Sequence, residues 1–276
     1  MSENKLHIAQ VAPVVASKPS RPSQQGRREE MQAAMERLWK EDPEQFNPER
    51  DAVQRQRVDR TLEMIARCGN WKEKKAVDLG CGSGVITRKM RDLGFLVVDA
   101  VDVSSQALKR LQEKDAHNIH PIQDCLPCTR LKDAQYDLVV CTEVIGYLHQ
   151  KEYRLLFSEL ARLVKMDGVV ICSSALDAHT ENPLALFSQL ADSEFEPLHW
   201  ALSYHRWFLN LLNTPLSRFL KQNGKVCNAL EAVCRFFSSP SGASHVIFAG
   251  KRRPLQFPLP PNEIPREPKQ KRHVWE

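Results

Sequence analysis

The sequence predicts an α/β protein built on a doubly wound, mainly parallel sheet of seven strands. Short apolar runs alternate with amphipathic helical segments after Gly69, and the runs at 137–141 and 169–172 are apolar on successive residues. Strands of this kind are buried on both faces, so helices are expected on each side of the sheet. A glycine-rich turn after the first strand is the third observation, and it also indicates a ligand.

The elements before the sheet form two groups. Residues 1–26 are rich in Pro, Ser and Gln and carry almost no apolar period, which predicts a disordered N-terminal segment. Apolar residues recur at helical spacing over 27–39 and again over 53–66. We therefore expect two helices there, and we assign residues 27–68 to an N-terminal helical cap.

The main domain is predicted to span 69–253. Its strands are expected at 76–79, 95–102, 119–123, 136–142, 168–174, 195–203 and 245–251, and its helices at 84–93, 105–115, 151–165 and 183–191. A helical insertion at 206–237 precedes the last strand. Residues 254–276 contain six prolines and a basic cluster at 269–273, and they are expected to form a flexible tail.

Composition narrows the classes of partner. Residues 251–276 hold seven Lys and Arg against three Asp and Glu, so the other 250 residues carry 32 against 31. A nearly neutral domain gives no strong signal for nucleic-acid binding. No apolar run reaches the ~18 residues that span a bilayer, which favours a cytoplasmic protein. The eight cysteines are thinly spread, so reduced thiols are expected.

The turn at residues 77–84, with the sequence VDLGCGSG, carries most of the chemistry. Taken alone it also allows a dinucleotide fingerprint, but that pattern needs glycine at the position of Val85. Asp102 follows Asp78 by 24 residues and ends the second strand, where a carboxylate accepts hydrogen bonds from a ribose diol. The alternative interpretation of 102–104 is an ordinary helix N-cap.

With these motifs, the chain resembles the class I S-adenosylmethionine-dependent methyltransferases, in particular the bacterial small-molecule group (methyltransferase type 11/12-like). That group includes ubiquinone-pathway and nodulation-type enzymes. The resemblance covers about residues 70–251. The motifs that carry it are VDLGCGSG (77–84), VDVS (101–104), QDCLP (123–127) and YDLVVCTEVIGYLH (136–149).

The resemblance implies the cofactor S-adenosyl-L-methionine and a set of contacts to it. Asp78 would position the amino group, Asp102 the ribose hydroxyls, and Asp124 the adenine amine. The full set of implied cofactor-binding residues is Asp78, Gly80, Cys81, Gly82, Asp102, Val103, Asp124, Cys125, Thr142 and Glu143. The fold it implies is a Rossmann-like methyltransferase sheet with the ligands at its carboxyl edge.

Transfer to a hydroxyl or an amine also requires loss of a proton, which favours a nearby general base. The candidates are Glu143, Tyr147, His149, Asp177, His179 and His205. His149 and His179 are placed first because they follow the fourth and fifth strands. No metal is expected, since Cys125 and Cys128 have only half of a zinc-site spacing and no second pair accompanies them.

The expected function is methyl transfer to an oxygen or nitrogen of a small, largely apolar acceptor. Two alternatives remain open at this point: a non-catalytic regulatory or assembly protein that binds the cofactor, and a protein or RNA methyltransferase. The insertion at 206–237 carries five Lys and Arg against Glu231 alone, along two amphipathic patterns. It is interpreted as a helical cover for the pocket or as a surface for peripheral membrane contact.

Overall fold

A computed structural model describes residues 24–44, 46–114, 116–176, 182–205 and 222–253. Two helices come first, α1 (Gln24–Glu41) and α2 (Ala52–Arg67). The domain continues with β1 (Lys75–Leu79), α3 (Val85–Asp92), β2 (Val97–Asp102), α4 (Ser105–Gln112), β3 (Ile119–Gln123), β4 (Tyr136–Thr142), α5 (Tyr153–Leu163) and β5 (Val164–Ala175). It ends with α6 (Pro183–Glu194), β6 (Phe195–Ser203), α7 (Gly224–Phe237) and β7 (His245–Arg252).

The seven strands form one sheet in the order β3-β2-β1-β4-β5-β7-β6. The first five strands run parallel, and β7 pairs antiparallel with both β5 and β6. This confirms the predicted doubly wound, mainly parallel sheet. The order reverses between β1 and β4, and open α/β sheets bind ligands at the carboxyl edge beside such a switch.

Both faces of the sheet are covered, as the continuous apolar runs predict. Helices α2 and α3 bury Ile65 and Met90 against one face, where Trp71 stacks on Phe95 at a centroid distance of 5.5 Å. Helices α5 and α6 bury Leu160 and other apolar side chains against the opposite face. Burial of each large side chain stabilises the sheet by about 1.5–3 kcal/mol, which fixes the strand ends that carry the site.

Several predicted boundaries move in the structure. Helix α1 begins at Gln24, inside the segment expected to be disordered, and helix α4 ends at Gln112 instead of 115. The helix expected over 151–165 ends at Leu163, because Val164 already pairs with Tyr136 ahead of a register shift. The shift makes β5 longer than the predicted 168–174.

Other predictions lie outside the described residues: the segment 1–23, the tail 254–276, the base candidates Asp177 and His179, and the first part of the insertion, 206–221. The second part of the insertion is helix α7, which packs against α2. Within the described part of the chain, no helix combines the length and the apolar character that a membrane span needs.

Candidate functional site

A cleft of about 1310 Å³, counting the space open to solvent, lies between the carboxyl edge of the sheet and helices α1 and α2. Its floor comes from the ends of β1, β2, β3 and β4, where parallel strands bring their following residues together. Its opposite wall is apolar and carries Met31, Met35, Trp39, Phe46 and Val58. The four motifs of the sequence therefore converge on one place.

The glycine loop is shaped by backbone conformation and by close neighbours. Gly80 and Gly82 have φ values of 75° and 52°, which favour glycine. A Cβ on Gly80 would lie 2.4 Å from Val144 Cγ2, and one on Gly82 would lie 2.9 Å from a ring carbon of Trp39. These glycines are thus required by packing within the protein, whereas the sequence suggested close approach to a ligand.

Asp102 anchors this loop from the end of β2. Its Oδ2 accepts from the Gly82 backbone N–H at 2.8 Å, and its Oδ1 accepts from the Ser104 N–H at 2.9 Å. Burial is the main cause that raises the pKa of Asp102. The N-cap residue of α4 is Ser104, so the alternative interpretation of 102–104 as a helix N-cap holds for Ser104 and not for Asp102. Each oxygen keeps a lone pair for a further donor such as a ribose hydroxyl.

Asp78 is the penultimate residue of β1, just before the glycine loop, and is 1% exposed. Its Oδ2 accepts from Thr87 Oγ1 at 2.6 Å. Burial raises the pKa of Asp78 to about 6, an effect that the Thr87 hydrogen bond opposes and the charge of Asp102 reinforces. A cationic group in the cleft would favour the ionised form of this carboxyl.

Asp124 and Cys125 lie beyond the end of β3 and also line the cleft. Asp124 Oδ1 accepts from the Cys125 N–H at 2.9 Å, and Oδ2 accepts from the Arg130 N–H at 2.7 Å. The structure brings all ten implied cofactor residues to the lining of the cleft.

The far end of the cleft is lined by Arg57, Glu143 and Ser173, and His245 adjoins them to complete a polar cluster. Glu143 has a φ of 60°, which is uncommon for a non-glycine residue and marks a constrained backbone. Its Oε2 accepts from Arg57 Nη1 at 2.9 Å, and its Oε1 accepts from Ser173 Oγ at 2.9 Å. His245 Nε2 lies 3.0 Å from the same Arg57 nitrogen. We call this group the Arg57 cluster.

The first-placed base candidates are not part of this arrangement. His149 is exposed and does not line the cleft, and its backbone N–H donates to Glu152 Oε2 at 2.9 Å. His179 lies outside the described residues. His205 is buried and contacts Gln56, and burial lowers its pKa to about 3. Glu143 and Tyr147 are the candidates that line the cleft.

Sequence reasoning missed Arg57, Ser173, His245 and Glu36. A signal for Arg57 was present: it lies four residues after Val53 and four before Thr61, both buried on α2, so a charged residue interrupts the buried face. The others are contributed by distant elements. Glu36 of α1 accepts from the Ser105 and Gln106 N–H groups at the start of α4, at 2.7 and 3.1 Å.

Part of the chain is similar to a known protein family. Residues 76–168 match the model of a methyltransferase domain family. The chain carries a class I S-adenosylmethionine-dependent methyltransferase domain. The cofactor of this domain is S-adenosyl-L-methionine. The residues at the cleft fit such a molecule, because carboxylates lie at or next to the ends of β1, β2 and β3 beside a backbone turn.

Two curated relatives share part of the methyltransferase domain. The ubiquinone biosynthesis O-methyltransferase of Neisseria meningitidis serogroup A is 26% identical over 156 residues, 55% of this chain and 63% of that enzyme. The ribosomal protein L11 methyltransferase of Neisseria meningitidis serogroup B is 31% identical over 119 residues, 43% of this chain and 38% of that enzyme. The chain thus covers less than two thirds of the length of both relatives.

A solved structure extends the likeness to the whole fold. The N-methyltransferase NodS of Bradyrhizobium japonicum, in complex with S-adenosyl-L-homocysteine, superposes with a TM-score of 0.56 at 14% identity. The match covers 80% of this chain and 98% of that one. At this identity the likeness concerns the fold of the methyltransferase domain.

Proposed function

We propose that this protein transfers a methyl group from S-adenosyl-L-methionine to an oxygen or nitrogen of a small, largely apolar acceptor. The observation that carries the proposal is the two-sided cleft. One side presents carboxylates and backbone at the strand ends, and the other presents Met31, Met35, Trp39 and Phe46. Apolar walls exclude water and favour an apolar molecule beside the cofactor.

The proposed cofactor contacts follow the row of strand ends. Asp102 accepts from the ribose hydroxyls while its bonds to Gly82 and Ser104 hold its carboxylate in place. Asp124 accepts from the adenine amine, and Asp78 faces the amino group. The bound sulfonium supplies a good leaving group, so the residues of this chain mainly have to orient the acceptor.

Glu143 is proposed to take the proton from the hydroxyl or ammonium group of the molecule that receives the methyl group. It lines the cleft beside Tyr147, and two hydrogen bonds fix its carboxylate. His149 and His179 stay predictions for this role. Peripheral membrane contact through 206–237 and a cytoplasmic location also stay predictions. Exposed Phe236 and Phe237, at 83% and 81%, are compatible with such contact.

A test of the proposal measures S-adenosylhomocysteine formation by the full-length chain with fractionated cell extract. The expected result is turnover with the fraction of small, apolar metabolites. Glu143→Gln should lower the rate about a hundredfold, the low end of general-base effects, and Glu49→Gln, at an exposed position, is the matched control. Turnover with the protein or RNA fraction alone would reject the small-molecule acceptor.

The same experiment separates two alternatives, and one of them has an observation in its favour. Likeness to a ribosomal protein L11 methyltransferase favours a protein acceptor as the second candidate. A non-catalytic protein that binds the cofactor is the third, and it predicts binding of S-adenosylhomocysteine without turnover in any fraction. The extract experiment separates all three.

A further inference from the structure

The loop between β3 and β4 carries Asp124, the residue proposed to accept from the adenine amine. Backbone groups of this loop hold both oxygens of the Asp124 carboxylate: Oδ1 accepts from the Cys125 N–H at 2.9 Å, and Oδ2 accepts from the Arg130 N–H at 2.7 Å. Arg130 lies six residues further along the loop. The orientation of the carboxylate therefore depends on where the loop places the Arg130 backbone.

A buried carboxylate outside the loop fixes the residue next to Arg130. Glu159 of α5 is 6% exposed, and its Oε1 accepts from both the N–H and the Oγ1 of Thr129, at 2.8 and 2.6 Å. Hydrogen bonds to an ionised carboxylate are short and strong, so two of them on one residue restrict the backbone beside it. The position of the Arg130 N–H, and with it the orientation of Asp124, is thus set from α5.

Arg162, one turn further along α5, holds Glu159 and the rest of the loop. Its Nε and Nη2 donate to the two oxygens of Glu159 at 2.8 and 2.7 Å, and its Nη1 donates to the Leu131 carbonyl oxygen at 2.7 Å and to Asp133. Burial acts to raise the pKa of Glu159, but the hydrogen bonds from Arg162 and Thr129 lower it by more, so the pKa lies below its usual value. Glu159 is therefore an ionised carboxylate that joins α5 to the loop.

We propose that Glu159 and Arg162 are positioning residues for the cofactor: they hold the carboxylate of Asp124 ready to accept from the adenine amine, and they thereby set the preference of the cleft for adenine. The proposal rests on the proposed function. Neither residue is among the described residues that line the cleft, so both act through the loop. A carboxylate that is already oriented loses little freedom when the base binds, whereas a mobile one must first be ordered, which lowers the affinity.

The base that reveals this role is hypoxanthine, which carries a carbonyl oxygen where adenine carries its amine. An oriented carboxylate accepts from the amine but repels the carbonyl oxygen, because two acceptors then face each other without a hydrogen between them. Selectivity between the two bases therefore measures how well Asp124 is held. A general loosening of the fold would weaken the binding of both bases alike.

The experiment is calorimetry on the full-length chain with S-adenosylhomocysteine and with S-inosylhomocysteine, its analogue that has hypoxanthine as the base. Glu159→Gln keeps the shape of the side chain and removes its charge, and Arg162→Lys keeps the charge but not the paired donors. Thr129→Val removes the hydroxyl that donates to Glu159, and Thr129→Ser, which retains it, is the matched variant. Ser158→Ala, at an exposed position on α5, is the control.

The wild-type chain is expected to prefer S-adenosylhomocysteine. Glu159→Gln should weaken binding of that compound about tenfold, the low end for a lost hydrogen bond to a charged group, and should change binding of S-inosylhomocysteine by less than about twofold. Arg162→Lys and Thr129→Val should give smaller losses of the same kind. Thr129→Ser and Ser158→Ala should keep the wild-type preference.

A second background tests whether the effect passes through Asp124. In Asp124→Ala, the further change Glu159→Gln should leave the ratio of the two affinities unaltered, because the carboxylate that it positions is gone. Equal weakening of both compounds by Glu159→Gln, no weakening of either, or an undiminished effect in the Asp124→Ala background would overturn the inference.

Failure of the inference and failure of the proposed function give different results. If the wild-type chain prefers S-adenosylhomocysteine and Glu159→Gln leaves that preference intact, the inference alone is rejected. If the wild-type chain binds both compounds equally, the contact of Asp124 with the adenine amine is rejected together with the inference. If it binds neither compound, the proposed function is rejected as well. Thermal unfolding shows whether Glu159→Gln is folded, and Thr129→Val with Thr129→Ser provides the readout if it is not.

Discussion

The two ends of the cleft are built in different ways. At the end formed by β1, β2 and β3, the contacts come from residues 78–125, close together in the chain, and they use backbone groups and carboxylates at strand ends. At the other end, the Arg57 cluster collects one residue each from α2, the turn after β4, β5 and β7. Local motifs thus specify the first end, whereas tertiary packing assembles the second.

This difference explains which parts of the site were predictable. Asp78, Gly80 and Asp102 lie in short motifs whose spacing is set by a strand and a turn, so the sequence alone placed them. Arg57 and His245 are 188 positions apart, and they meet only after the sheet and α2 have packed. Periodicity identified both elements but contains no information on their distance in the folded chain.

A larger part of the fold than of the site was predictable from the sequence. Burial of β4 and β5 on both faces followed from their continuous apolar runs at 137–141 and 169–172, because strands covered by helices on each side require apolar side chains on both faces. Predicted boundaries were less accurate. Strand β5, for example, begins at Val164, which pairs with Tyr136 before the register shift. Pairing across strands decides such ends, and it involves partners that a local window does not include.

The largest expected effect on stability comes from a substitution at the end of the cleft formed by β1, β2 and β3, which local motifs specify. Gly80→Ala adds a Cβ 2.4 Å from Val144 Cγ2 at a φ of 75°. The clash and the backbone strain together should lower the free energy of unfolding by about 3 kcal/mol. Chemical denaturation measures this change. Gly146→Ala is the control, because no atom lies within 4 Å of its added Cβ, and an equal loss there would contradict the explanation.

A pH experiment sharpens the comparison at Asp78. Burial raises the pKa of Asp78 from 3.8 to about 6, so the folded state loses stability as pH rises from 3.8 to about 6; the loss is complete above that range and absent below it. Asp78→Asn keeps an acceptor for Thr87. The variant should gain about 2–3 kcal/mol over wild type at pH 8 and almost nothing at pH 4.

Denaturation curves of the wild type and of Asp78→Asn between pH 4 and pH 8 measure this difference. Other groups titrate alike in the two proteins, so their contributions cancel. Asp137→Asn is a control of opposite sign. Burial raises the pKa of Asp137, but the hydrogen bonds from the Lys75 N–H and from Lys165 lower it by more, so the pKa lies below its usual value. That variant should therefore lose stability toward high pH. A gain for Asp78→Asn that is independent of pH would contradict the assignment.

A double-mutant cycle tests the end assembled by packing. Arg57→Met, Glu143→Gln and the double variant should give a coupling energy of about 1 kcal/mol in unfolding, since the pair is partly buried. The same cycle on Arg50 and Glu44, which lie 3.8 Å apart at 67% and 41% exposure, should give almost none. Equal coupling in the two pairs would mean that the cluster contributes no more than a surface ion pair.

The smallest effect is expected where α1 is joined to α4. Glu36→Gln removes the charge that accepts from the Ser105 and Gln106 N–H groups, and it should reduce stability by about 0.5–1 kcal/mol. Amide hydrogen exchange should become faster across α1 (Gln24–Glu41) and unchanged in β1. Glu30→Gln, exposed on the same helix, is the control. Unchanged exchange in α1 would show that apolar contacts alone hold it.

The position of Trp39 on Gly82 has a consequence for the timing of a catalytic cycle. Helix α1 and its Trp39 cover the turn beneath which the methionine end of the cofactor is proposed to lie. With the cofactor bound as proposed, exit of S-adenosylhomocysteine past that ring would require the helix to move away. Chemistry and exit are then separate steps, and exit becomes the slower one whenever the helix opens slowly. A rapid first turnover followed by a slower steady state is the kinetic signature of this arrangement.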